Sequence, residues 1–204
     1  MADRERDLER LLTFVDAVVA IAITLLVLPL TEVGDSVQDH DVGALLRERG
    51  DDLFSFFLSF AVIAQLWLAQ HALVSSLIRQ TPAVVRLLIL WTLTVVFLPF
   101  PTALVTATGN NSVLVKMLYI GTMAVNAALL TLLARVIGRD RTLRDTDAEP
   151  GSVQAAATTV AFLIALVVSI TVPAFGYWPL LLLFLSGSVG ERLARSRARR
   201  GGTH

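Results

Sequence analysis

The stretch RLLTFVDAVVAIAITLLVLPL, residues 10–30, decides the fold, because its apolar part is long enough to cross a bilayer. A spanning helix needs about 20 mostly apolar residues. One carboxylate, Asp16, stands near the start of this run, and one hydroxyl, Thr24, lies in the apolar part that follows it. An ionisable residue inside a membrane segment is costly, so Asp16 is expected to have a function or a specific partner.

The composition of the whole chain is that of a membrane protein. Its 204 residues are 55% hydrophobic and 17% charged, with a mean hydropathy of +0.70, whereas soluble domains carry about 25% charged residues. The absence of cysteine excludes disulfides, thiolate metal sites and cysteine nucleophiles. The N-terminus has no purely basic region and no small-residue cleavage site follows the apolar run, which predicts a retained membrane helix.

Six windows are long and apolar enough to span a bilayer, so we predict an all-α integral membrane protein that forms one domain over residues 1–204. The predicted spans are residues 12–31, 53–77, 84–107, 112–135, 153–173 and 175–191, followed by a basic tail at 192–204. The sequence FLPFPT (97–102) is expected to break the third span near one end, because proline removes a backbone donor. The last two spans could instead form one bent helix around the segment TVPAFGYWP.

The distribution of basic residues predicts the orientation. With six spans, 14 of the 17 basic residues lie on the side of the two termini, which the positive-inside bias places in the cytoplasm. The opposite side includes the loop 31–52, which holds seven acidic residues and two arginines. This loop could concentrate cations near a channel mouth, or it could be a solvated linker.

No internal repeat relates the two halves of the chain, and six short helices are few to enclose a pathway. Both points favour a homo-oligomer in which any central pathway lies between copies.

Polar residues in the spans offer partners for Asp16. Arg10 lies six positions earlier and His71 lies at a similar depth in the second span, which predicts a polar cluster that holds the first helix against the second. Alternatively, Asp16 caps the start of its helix. A proton relay through His71 is less favoured, because no titratable groups continue across the membrane. Other polar residues in the spans are expected to bond between helices: Gln65, Gln70, Ser75, Ser76, Thr92, Thr94 and Asn126.

Apolar residues at helical spacing follow Asp16. Ile21, Leu25 and Leu28 form one stripe, which Phe14 and Val18 extend, and Ala17, Ala20 and Thr24 form a neighbouring stripe of small residues. By periodicity alone the larger stripe is lipid-facing or packing surface. Apolar constrictions can also gate pores by dewetting, but spacing does not distinguish these roles.

Three motifs together resemble the transmembrane protein 175 family. The first-helix signature of that family is Arg-xxx-Phe-Ser-Asp, and this chain matches it at Arg10, Phe14 and Asp16 but has Val15 in place of the serine. The segment WLAQH (67–71) is similar to the Trp-xxx-His motif of the family's second helix. The segment RLLILWTLTVVFLPFPTALV (86–105) is similar to its third helix. The resemblance implies a tetramer of six-helix subunits whose first helices line a pore. It implies a narrow ring at Ile21, further rings at Leu25 and Leu28, and a polar position at Thr24. It also implies a structural network that includes Arg10, Asp16, Trp67 and His71, with Phe14 in the signature.

The resulting hypothesis is a potassium-permeable cation channel of a bacterial plasma membrane, with weak to moderate selectivity because an apolar ring lacks coordinating oxygens. It would need no cofactor or resident metal, would not be an enzyme, and would bind monovalent cations, lipid and its own copies rather than nucleic acid. The basic tail is expected to contact anionic lipid. The alternatives are a proton-coupled or small-solute secondary transporter and a membrane scaffold that transports nothing.

Overall fold

The computed structural model describes residues 2–31, 50–75, 77–108 and 112–143. These residues form helices α1 (Ala2–Leu25), α2 (Leu28–Thr31), α3 (Gly50–Val74), α4 (Pro82–Phe97), α5 (Pro99–Thr108) and α6 (Val113–Arg139), and a 3₁₀ turn (Arg141–Leu143). Four segments are long and apolar enough to cross a membrane: Arg6–Thr31, Asp52–Val74, Pro82–Val105 and Val113–Arg139. They correspond to the first four predicted spans. The predicted spans 153–173 and 175–191, the tail 192–204 and most of the loop 31–52 lie outside the described residues.

Helix α1 differs from the first predicted span at both ends. It begins at Ala2, ten residues before the apolar window, because the charged segment ADRERDLERL is rich in arginine, glutamate and leucine, which favour helix. It ends at Leu25, four residues before Pro29, whose missing N–H cannot bond the Leu25 carbonyl. A turn over residues 26–27 then leads into α2. The first span is therefore interrupted between Leu25 and Leu28, whereas placing these two residues on one helical stripe requires a continuous helix.

Prolines also set the limits of the third span. Thr81 caps α4, its hydroxyl accepting a hydrogen bond from the Val84 N–H at 3.4 Å, and Pro82 occupies the first turn, where no intrahelical donor is needed. The helix ends at Phe97, four residues before Pro101, and resumes as α5 after Leu98. The predicted break in FLPFPT is confirmed.

The core of the described bundle lies between α4 and α6, which pack together more extensively than any other pair of these helices. Leu88 and Trp91 of α4 and Ile120, Met123 and Ala134 of α6 are fully buried. Helix α1 packs chiefly against α4. Burying an aliphatic side chain of this size stabilises the fold by about 1.5–3 kcal/mol in water, but in a bilayer the gain comes from close packing between helices.

Candidate functional site

Helix α1 has one face inside the bundle. Its buried residues recur at helical spacing and are Leu8, Val15, Val19 and Ala22, continued by Leu26 in the following turn. All five belong to the same hydrophobic cluster as the buried residues of α4 and α6. This face anchors the first membrane segment to the rest of the described chain.

The predicted pore-lining residues lie on the remaining surface of the first segment. Ile21 is 58% exposed, Leu28 is 55% exposed and Leu25 is 39% exposed. Thr24 is exposed too, and its hydroxyl donates a hydrogen bond to the Ile21 carbonyl at 2.7 Å. None of the four belongs to the packed core, so this surface contacts either lipid or another molecule in a membrane.

The small-residue stripe lies on the same exposed side. Ala17, Ala20 and Thr24 are all exposed, so no helix in the described part of the chain packs closely against them. Their small side chains would allow a second helix to approach α1 closely, but no helix among the described residues does so.

Asp16 has an identified partner on α3. The indole Nε1–H of Trp67 donates a hydrogen bond to Asp16 Oδ1 at 2.8 Å, and both residues are half-buried. The imidazole of His71, one turn further along α3, lies against the Trp67 ring with centroids 5.4 Å apart and an interplanar angle of 32°. An indole N–H bonded to a carboxylate is charge-assisted and therefore stronger than a neutral bond. The structure thus brings Asp16, Trp67 and His71 together.

The other two residues predicted for this network lie elsewhere. Arg10 is exposed and, within the described residues, has no ion pair with Asp16. Phe14 is 56% exposed and lies on the same side of α1 as Ile21, seven residues away. Neither side chain reaches the contact between Asp16 and Trp67.

Val15 occupies the position at which the family signature has serine. It is fully buried in the hydrophobic cluster. A valine at this position therefore packs among apolar side chains of the bundle, and the hydroxyl that the signature would place there is replaced by buried hydrocarbon.

Ser76 lies outside the described residues. Among the other polar membrane residues, the structure shows the predicted bonding between helices for one pair. Asn126 of α6 donates from Nδ2 to Thr94 Oγ1 of α4 at 2.6 Å. Thr92 and Ser75 instead donate to carbonyls of their own helices. Gln70 Oε1, Asn126 Oδ1 and Trp91 Nε1 are buried and have no hydrogen-bond partner among the described residues.

Sequence reasoning missed a cluster of hydroxyls that joins three helices. Ser59 Oγ of α3 lies 2.8 Å from Tyr119 Oη of α6 and accepts a hydrogen bond from Thr102 Oγ1 of α5 at 3.1 Å. Ser55 lines the same small cavity, which has room for about one water molecule. Nothing in the spacing of these residues signals the cluster, because its members come from three distant segments.

Metal ligands are not grouped in the described residues, where no three histidine, cysteine, aspartate or glutamate side chains are placed to hold an ion. The surface formed by Ile21, Thr24, Leu25 and Leu28 instead offers three apolar side chains and one hydroxyl. Such a surface can exclude or admit water and ions according to its width, but it cannot hold a cation by charge.

The fold and these four membrane-length segments define a multi-pass helical membrane protein. A family model described as endosomal/lysosomal potassium channel TMEM175 matches residues 10–99, a range that contains every residue predicted for the site. The family model thus matches the part of the chain that carries the motifs described above, and residues 10–99 are similar to the TMEM175 family.

A solved structure shares the fold. The crystal structure of a lysosomal potassium-selective channel TMEM175 homolog from Chamaesiphon minutus matches with a TM-score of 0.76 and 24% sequence identity, covering 90% of this chain and 97% of that one. At this identity the match shows the fold alone. No curated protein matches the chain.

Proposed function

We propose that this protein is a potassium-permeable cation channel of the TMEM175 family, in which the first segments of four copies line a central pore. The observation that carries the proposal is the exposure of Ile21, Leu25 and Leu28 on a segment whose other face is packed in the bundle. A pathway between copies needs a surface of this kind, on a helix whose opposite face packs against the rest of its own subunit and whose outer face is exposed in the single chain.

The residues on this surface would act as an apolar constriction. Rings of isoleucine and leucine side chains disfavour water in a narrow passage and so gate ion flow by dewetting. An ion passing Ile21 would have to shed part of its hydration, and K⁺ does so more readily than Na⁺. Selectivity is weak to moderate, because Thr24 is the one side chain among the four that carries an oxygen.

The contact between Asp16 and Trp67 would hold the pore helix in place. It joins α1 to α3 at a half-buried position away from the core face. The carboxylate is engaged by an indole donor, and the His71 ring covers that indole. In this proposal Asp16, Trp67 and His71 orient α1, and Asp16 is not in the ion path.

Each subunit would be one domain of six membrane helices in a bacterial plasma membrane, with both termini in the cytoplasm. The basic residues support this orientation, since most of them fall on one side of the predicted spans. Monovalent cations, lipid and other copies of the chain would be its partners, and neither catalysis nor a cofactor would be involved.

The test compares two isoleucines of similar exposure. Ile21 is 58% exposed on α1 and Ile89 is 50% exposed on α4. Ile21→Asn should hydrate the constriction, raise K⁺ flux into liposomes and reduce the preference for K⁺ over Na⁺. Ile89→Asn makes the same chemical change outside the proposed pore and should leave selectivity unchanged. Equal selectivity of wild type and Ile21→Asn, in protein that conducts, would refute the pore assignment.

A further inference from the structure

Three exposed arginines lie together where α6 ends. Arg135 and Arg139 are on the last two turns of α6, and Arg79 is in the connection between α3 and α4. That connection is tied to the end of α6, because the Ile78 N–H donates to the Leu143 carbonyl at 2.9 Å. We call Arg79, Arg135 and Arg139 the arginine patch.

The arginine patch has an excess of positive charge. Arg135 and Arg139 are four residues apart on one helix face, an arrangement of like charges that destabilises a helix. Neither makes an ion pair with another described residue. The nearby carboxylate of Asp140 accepts hydrogen bonds from the Thr142 N–H at 3.0 Å and the Thr142 hydroxyl at 2.7 Å.

Asp140 therefore neutralises only part of the patch. Its pKa is lowered, first by the hydrogen bonds from Thr142 and also by the positive charge of Arg79, so the carboxylate is ionised at neutral pH. Even so, among the described side chains at this end of α6 there is one carboxylate for three guanidinium groups. The negative end of the α6 dipole also favours cations at this position.

An apolar surface leads along α6 to these arginines. Val125 is 53% exposed and Leu132 is 45% exposed, and the two are seven residues apart on one face. Arg139 follows Leu132 by a further seven residues, about 10 Å along the helix axis. The face is thus hydrocarbon over two turns and cationic at its end, which matches the acyl chain and the phosphate of one lipid leaflet.

We propose that the arginine patch binds the headgroup of an anionic phospholipid whose acyl chain lies along Val125 and Leu132. The guanidinium groups of Arg135 and Arg139 bond the phosphate oxygens, for which the planar fork of arginine is suited. The bound phosphate removes the repulsion between the two arginines. The site requires only that α6 spans a bilayer, so it does not depend on the channel function.

The experiment measures lipid binding to the purified full-length protein by native mass spectrometry, with phosphatidylglycerol and phosphatidylcholine of the same chain length as probes. Wild type should retain phosphatidylglycerol in preference to phosphatidylcholine. An arginine near a membrane surface contributes about fivefold to anionic-lipid affinity, so Arg139→Gln should weaken phosphatidylglycerol binding by roughly that factor. The double variant Arg135→Gln/Arg139→Gln should weaken it by about 30-fold.

Two further variants separate a specific site from general attraction. Arg6→Gln removes one exposed arginine from α1 and should leave phosphatidylglycerol binding unchanged. Arg139→Lys keeps the charge and should lose less affinity than Arg139→Gln, and it provides a folded comparison if the glutamine variant is unstable. Equal binding of the two lipids by wild type, or equal losses in Arg139→Gln and Arg6→Gln, would overturn the proposal. Full displacement of the lipid by inorganic phosphate would show a free-anion site and would overturn it as well.

Discussion

The substitution of tryptophan by phenylalanine can be tested at two positions that differ in whether the indole N–H has a hydrogen-bond partner. Trp67 donates its indole hydrogen to Asp16 at 2.8 Å, whereas the Nε1 atom of Trp91 is buried without a partner in the described structure. Trp67→Phe removes a hydrogen bond to a charged group, which contributes about 1.5–3 kcal/mol. It also leaves a half-buried carboxylate without its donor. We expect the free energy of unfolding to fall by about 2–3 kcal/mol.

Trp91→Phe makes the same chemical change at a fully buried position. The smaller ring leaves a void of a few tens of Å³, and at about 24 cal/mol per Å³ this costs about 1 kcal/mol. The substitution also removes an unbonded buried donor, which gains about 1–3 kcal/mol. The gain equals or exceeds the cost, so Trp91→Phe should leave the free energy of unfolding unchanged or raise it by up to about 2 kcal/mol, even though Trp91 is the more buried residue.

Both variants would be compared with wild type in one detergent, by following unfolding in increasing concentrations of denaturant. A double-mutant cycle of Trp67→Phe with Asp16→Ala should give a coupling of about 1–2 kcal/mol, because each change by itself removes the same bond, by taking away its donor or its acceptor. If Trp91→Phe destabilised the protein more than Trp67→Phe, burial rather than the bond to Asp16 would govern the two sites. A coupling near zero would show that the bond contributes nothing.

Three further outcomes follow from single residues. Ser59→Ala should lower the free energy of unfolding by about 1–2 kcal/mol in the same assay, because Ser59 bonds hydroxyls of two other helices; an unchanged midpoint would contradict a role in joining them. Val15→Ser restores the residue of the family signature but should cost about 1–3 kcal/mol, since it places a hydroxyl among buried hydrocarbon; a stabilised variant would show an acceptor at this position. The lowered pKa of Asp140 contributes stability that is present above its unfolded pKa near 3.8 and lost as the pH falls through the lowered folded value. The difference in stability between wild type and Asp140→Asn should therefore shrink below about pH 4, and a difference independent of pH would refute that contribution.

The membrane segments could be predicted from the sequence because their signal is local. Long apolar windows mark the four described segments, and prolines mark the places where the first and third are interrupted. The sequence does not predict the extension of α1 to Ala2, because the charged residues there mark the end of the membrane-spanning part, and the helix continues beyond it. Helical spacing predicts that Leu28 continues the stripe of Ile21 and Leu25, but Pro29 cannot bond the Leu25 carbonyl and α1 ends before Leu28.

The site could be predicted only in part, because the sequence does not show how a helix is rotated. Both sides of α1 are apolar, so Val19 and Ala22 look much like Ile21 and Leu25 until the packing against α4 distinguishes them. His71 was inferred as a partner of Asp16 from its depth, and the structure places the indole of Trp67, one turn away, against the carboxylate. Depth along a helix can be counted in residues, whereas the side that faces a neighbour depends on contacts from distant segments.

In the proposed channel, the exposed surface of the first segment is a selective path for cations. The most direct test is the reversal potential of the reconstituted protein with K⁺ on one side of the bilayer and Na⁺ on the other. We expect the reversal potential of wild type to be displaced towards that of K⁺, and we expect this displacement to be retained in Ile89→Asn and reduced in Ile21→Asn. A current whose reversal potential is the same in all three proteins would contradict it.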